Sequence, residues 1–329
     1  MKHTLVLAAF FAGILLFAQP NTARAQQPYV TDDEVKVNVY KKFVDNRVPN
    51  PTVAYQAARD YMQRYGKEDD QYTKYLRAWI GAYEEDERAR RLAAERADRE
   101  QQLLGSFTTK DFTKAYGLAK QVLADDPNDV RVLIALGYGA VAASTEARNE
   151  SFNTDATRYA EKAIQLIESG KTPEAWEPFK GKEDVLGSLH YALGFYQLKT
   201  SPDIAASHFI KAAQVDAERR NAPSTYYYLA AAYQNGPYKR LSEDYTKRFG
   251  NQPESPESKA ALDNINKVLD KIIDAYARAV ALAGTNPQHQ SAKTQSMAQL
   301  TNFYKFRHEG SDAGLTEYIA GVLKTPLPQ

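Results

Sequence analysis

Side chains that move protons, attack carbonyls or hold metals are where chemistry begins, and this chain has few of them. It carries 5 histidines and 0 cysteines. Without cysteine, thiolate catalysis, disulfides and Cys-based metal sites are all excluded. The histidines are His3, His190, His208, His289 and His308. The "RHEG" at 307–310 lacks the second histidine of a zinc-protease helix, and "FKGKED" around Gly181 and Lys182 lacks the upstream glycine and the hydroxyl of a phosphate loop. No G-x-S-x-G elbow, paired-glycine fingerprint or calcium loop occurs, and the many acidic pairs lie on solvated helical faces. The expectation is a protein that is not an enzyme and needs no metal and no cofactor.

The totals point the same way. Of 329 residues, 43% are apolar and 25% charged, ordinary usage for a globular chain. Against 41 acidic side chains stand 42 basic ones, a net +1, so nothing pulls the chain toward nucleic acid or anionic lipid. Tyrosine is the outlier, with 22 residues beside 13 phenylalanines and 2 tryptophans.

The first 25 residues read as an export signal. Lys2 and His3 precede the apolar run "LVLAAFFAGILLFA", too short to span a bilayer, and "ARA" at 23–25 supplies small residues for cleavage before Gln26. The expected location is periplasmic or secreted, by a bacterial Sec-type route. No membrane insertion is expected after cleavage, and lipoprotein attachment would need a cysteine.

Helical spacing dominates the remainder, and strand-like alternation is nearly absent, which predicts an all-α fold. One helix is predicted from Pro51, with Val53, Ala57, Tyr61 and Tyr65 on one face, ending at Gly66. A long helix follows over 71–104, with Tyr72, Tyr75, Leu76, Trp79, Ile80 and Tyr83 as a wide buried face. Its second half, "EEDERARRLAAERADRE", is mostly charge, with Glu84–Arg88, Glu87–Arg91 and Glu95–Arg99 at the favourable i,i+4 order. Its best heptad frame makes a poor coiled-coil seam, which favours a solvated helix. The predicted organisation is a signal at 1–25, an N-terminal helical region at 26–104 and a repeat region at 105–329.

In that last region a unit recurs. "DFTKAYGLAKQVLADDPNDVRVLIALGYGA" sets Ala115, Ala119 and Val122 on one face, stops at Pro127, and resumes with Leu133, Leu136, Gly137 and Ala140. "HYALGFYQ" and "PDIAASHFIKAAQVD" repeat the offsets, as do "YYYLAAAY", "DAYARAVALAG" and "MAQLTNFY"; "YAEKAIQLI" and "LTEYIAGVL" read as further second helices. The pattern resembles the tetratricopeptide repeat, in which a Gly or Ala lets paired helices approach closely. The period is broken: Leu136, Leu193, Leu229 and Leu300 stand 57, 36 and 71 residues apart. Three insertions account for this, at 145–156, 170–184 and 234–258. The resemblance implies an α-solenoid, a right-handed array of antiparallel helix pairs preceded by an N-terminal helical segment. It also sets His190 and His208 on the two helices of one repeat, where they can meet, His190 standing where a packing aromatic is usual.

First helices of that family line a concave groove. Carried over to matching positions, the groove residues are Arg131, Ile134 and Tyr138, then Tyr191, Phe195 and Lys199. Tyr227, Gln234 and Asn235 follow, and finally Asn302 and Lys305. Such a groove suits an extended peptide or partner helix, since tyrosine offers apolar area and a hydroxyl. The same aromatics equally suit packing between helices. In the run "YYYLAAAY", Tyr226 is expected between the helices, Tyr227 toward the groove and Tyr228 away from it. The expectation is an exported scaffold that binds a protein or peptide partner in envelope assembly or export. The alternative is a small-ligand or glycan binder.

Overall fold

The computed structural model describes residues 31–328, so the expected leader lies outside the described residues. Every regular element among them is helical. The chain divides into two compact units at Arg91/Leu92, each considered by itself.

The first unit holds α1 (Asp32–Asn46), α2 (Pro51–Tyr65) and the first part of α3 (Gln71–Thr108). Local chemistry sets the starts. Thr31 and Glu34 form a reciprocal capping box on α1, and Asn50 caps α2 ahead of Pro51, whose missing N–H costs nothing there. Ala57, Tyr61 and Tyr65 are buried as their spacing predicts, with Ala54 and Ala58 beside them, around Phe43, Leu76 and Ile80. The face of α3 is narrower than predicted. Leu76 and Ile80 are buried, but Tyr72 and Tyr75 are 41% and 42% exposed. Trp79 stacks on Tyr83 at 5.3 Å and meets Phe43 edge-on at 5.0 Å. Residues 84–98 of α3 are exposed, with Arg90 pairing to Asp86 and Glu87. Glu84 accepts instead from the Tyr55 hydroxyl at 2.6 Å.

The second unit runs through α4 (Phe112–Asp125), α5 (Val130–Thr145), α6 (Asn153–Glu168), α7 (Lys182–Gln197) and α8 (Pro202–Gln214). It continues with α9 (Pro223–Tyr233), α10 (Lys239–Phe249), α11 (Pro256–Ala283), α12 (Gln290–Arg307) and α13 (Leu315–Gly321). Neighbours pack in pairs: α5 on α6, α7 on α8, α9 on α11 and α11 on α12, with α6 also against α7 and α8 against α9. Pro127 falls in the break between α4 and α5, and Asp129 caps α5 by accepting from the Val132 amide. The predicted small residues are where helices touch. A Cβ on Gly137 would lie 2.7 Å from the Ala160 Cα, and one on Gly194 would lie 2.9 Å from the Phe209 ring.

Two segments differ from expectation. The 234–258 insertion is largely helical: α9 passes through a π-helical turn, Gln234–Tyr238, straight into α10. Pro237 sits inside that turn, where the wider winding tolerates its missing N–H. The last predicted second helix, α13, packs on α11, burying Leu315 and Val322. Arg278 of α11, itself paired with buried Asp274, donates to the carbonyls of Thr325 and Pro326 and ties down the C-terminal tail.

Candidate functional site

A cleft of about 520 Å³ opens in the second unit where α5, α7 and the 170–181 segment converge. Helix α5 contributes Arg131, Ile134, Ala135 and Tyr138, one or two turns apart and so on one face. Phe107 and Phe112 close one side, from the end of α3 and the start of α4. The 170–181 segment supplies the opposite wall through Trp176, Pro178 and Phe179, with Phe179 edge-on to Tyr138 at 5.6 Å. Asp184 and Ser188 of α7 and the 3-10 turn Glu218–Asn221 complete the lining.

The charged centre is Arg219. Its guanidinium donates to the Tyr138 hydroxyl and lies over the Tyr191 ring at 4.4 Å and the Tyr138 ring at 5.4 Å. Cation–π contact holds the charge without a carboxylate. No acid lies within ion-pair distance of Arg219 among the described residues, and its Nε is buried without a partner. Burial pushes the Tyr138 hydroxyl above its ordinary pKa, with Arg219 pulling the other way. Asp184 is 8% exposed and accepts from the Lys180 amide at 3.1 Å. Arg131, at the mouth, stands 3.5 Å from Glu100.

The structure therefore brings together the first three predicted groove residues, Arg131, Ile134 and Tyr138. The others lie elsewhere. Tyr191 is 5% exposed, beneath Arg219, so it supports that cation and has no open face of its own. Phe195 meets Tyr228 edge-on at 5.4 Å, and Lys199 pairs with Glu150 at 2.6 Å. Tyr227 packs on Tyr276 at 5.9 Å, Gln234 accepts from the Tyr276 hydroxyl, and Asn235 is exposed in the π-helical turn. Asn302 lies on a shallow face of α12 with Met297 and Thr301, and Lys305 pairs with Asp312 at 2.9 Å. Of the tyrosine run, Tyr226 is buried as expected; Tyr228 turns inward, stacked on Phe209 at 6.0 Å.

Trp176, Phe179, Asp184, Arg219 and the two phenylalanines were missing from the predicted site. The 170–184 insertion was the one visible signal. Arg219 sits in "DAERRN", which reads as ordinary solvated charge.

His190 and His208 meet as their placement predicts, Nδ1 to Nδ1 at 3.1 Å. Burial lowers each to a pKa of about 4, helped at His190 by His208 and then Lys211, and at His208 by Lys211. Both are therefore neutral at physiological pH, one ring donating and the other accepting. Among the described residues no group of three or more His, Cys, Asp or Glu could hold a metal ion, and no helix is long and apolar enough to cross a membrane.

No protein-family model matches the chain, and no curated protein matches it. The helix pairs and the cleft carry the functional reading on their own.

Proposed function

We propose that the protein is an exported, non-catalytic binding protein whose helix pairs form a tetratricopeptide-like array and whose Trp176 cleft receives a segment of a protein partner. The observation that carries this reading is the convergence of Arg131, Ile134 and Tyr138 on one cleft with Trp176 of the inserted segment. Insertions in repeat arrays commonly gather on one side and take part in binding. The array is supported by consecutive pairing of α5 with α6, α7 with α8 and α9 with α11, and by the close approaches at Gly137 and Gly194. The leader-like apolar start of the sequence supports export.

A second reading, a small-ligand or glycan site, draws on the volume, which lies within the range of small-molecule pockets. One experiment separates the two. Replacing Trp79 by Phe leaves Trp176 as the single indole, and its emission is followed against arrayed twelve-residue peptides and against cell-wall oligosaccharides. The proposal expects peptides to shift the emission, and Trp176→Leu to abolish their binding when it is followed by calorimetry. A response to sugars alone would favour the second reading and contradict the first.

A further inference from the structure

The end of the chain lies on the second unit as a bound peptide would. After the 3-10 turn Val322–Lys324 the backbone is extended at Thr325, with φ −104° and ψ 148°. The residues that follow read Thr-Pro-Leu-Pro over 325–328. Proline fixes its own φ and drives the residue before it toward extended backbone, so this stretch keeps its shape whether docked or free. Little ordering entropy therefore opposes its docking or its release.

The seat beneath it has two parts. Arg278 of α11, 5% exposed, holds Asp274 through Nε at 2.6 Å and donates from Nη2 to the carbonyls of Thr325 and Pro326, each at 2.9 Å. Leu327 packs against a small apolar cluster of Ala213 from α8, Tyr226 from α9 and Ala279 from α11, which Tyr227 borders. A cation that reads backbone carbonyls beside a notch that reads one side chain is a peptide-recognition arrangement, and tyrosines commonly line such sites for proline-rich segments. Pro326 and Pro328 bring no N–H, so the seat needs no acceptor for them. The hold on the tail is light, since Thr325 and Pro326 are exposed and Leu327 is half-buried. If the tail lifts, Nη2 loses both carbonyls in an enclosed place, and a second backbone of the same shape restores them.

We propose that this seat on α8, α9 and α11 recognises an extended segment of a partner protein, one aliphatic side chain flanked by prolines, and that the chain's own tail occupies it until such a segment displaces it. The seat goes beyond the Trp176 cleft and does not depend on it. Tyr227, expected from the sequence to face a groove, borders this seat. Thr325 follows buried Val322 by three residues, so the tethered tail competes at an effective concentration of about a millimolar. A free segment meets a mostly closed site in the wild type, and its apparent affinity falls by the open fraction.

The test is calorimetric titration of two full-length chains, wild type and Leu327→Lys, with a blocked hexapeptide of the tail sequence, Lys-Thr-Pro-Leu-Pro-Gln. A lysine at 327 would have to bury its ammonium against Ala213 and Ala279, so the variant's tail leaves the seat open. The variant is expected to bind the hexapeptide roughly tenfold more tightly than the wild type does. Exchanging the peptide's leucine for lysine should abolish binding, and exchanging both prolines for alanine should weaken it about fivefold. A thermal melt checks that the variant is folded, and Leu327→Ser, which removes the apolar side chain without adding charge, takes its place if it is not. A folded variant that binds no hexapeptide, equal binding by variant and wild type, or equal binding of the leucine and lysine peptides overturns the seat. An alanine peptide that binds undiminished overturns its preference for proline.

Discussion

Two imidazoles 3.1 Å apart keep their hydrogen bond only while at least one ring is neutral, since one nitrogen must keep its lone pair. Both His190 and His208 are lowered to about 4 in the folded chain, below the ordinary 6.5, because burial penalises the charged ring, His208 repels a charge on His190, and Lys211 adds repulsion at both. A folded value below the unfolded one means that, as the pH falls, the folded state takes up fewer protons than the unfolded one. Their contribution is full above about 6.5 and is lost progressively as the pH drops through about 4. Allowing for partial exposure, the pair should account for on the order of 1–3 kcal/mol across that window. The expected outcome is a melting temperature that falls from neutral pH toward pH 4 less steeply in a His190→Phe/His208→Leu variant than in the wild type. Identical slopes would show that the pair carries no such linkage.

At the scale of elements, the close pairing of α5 and α6 depends on the absence of a side chain at Gly137. An added Cβ there meets backbone, not a flexible side chain, so the helices must part. Gly137→Ala should destabilise the chain by about 1–3 kcal/mol in urea unfolding. Gly81, exposed on α3 with open space where a Cβ would go, is the control. Gly81→Ala should stabilise by about 0.5–1 kcal/mol through helix propensity. A neutral Gly137→Ala would mean that the close approach is not needed.

These element-level features were legible because their signals are local. Pro51, Pro127, and the spacing of Leu133, Leu136 and Gly137 each act within one or two helical turns. The helix α10 was not legible, since Gly236 and Pro237 ordinarily end a helix, and only the π-helical turn lets the chain pass through them. The cleft was half legible for a related reason. Arg131, Ile134 and Tyr138 share one helical face, which spacing reveals, whereas Trp176 and Arg219 reach the same cleft from distant segments. Nothing in the periodicity says that those segments meet.

For the molecule as a whole, the division at Arg91/Leu92 falls within the exposed stretch of α3. The second unit keeps its own core, built from residues such as Phe209, Leu229, Leu269 and Leu300. Residues 92–329 expressed alone should therefore remain helical by circular dichroism, unfold in one cooperative transition, and bind the same peptides as the full chain. A non-cooperative melt of that fragment would show that the second unit needs the first.

The central claim, that the Trp176 cleft is where a partner segment docks, is tested most directly by photo-crosslinking. A photoreactive side chain is placed at Ala175, which lines the cleft, and in a control at Lys120, on the exposed side of α4. Each variant is irradiated in envelope extract of the producing cell, and the joined residues are mapped by mass spectrometry. The account predicts covalent adducts from Ala175 that map to one segment of a partner protein and are competed away by peptides that bind the wild type, with none from Lys120. Equal labelling at both positions, or adducts from Lys120 alone, would contradict it.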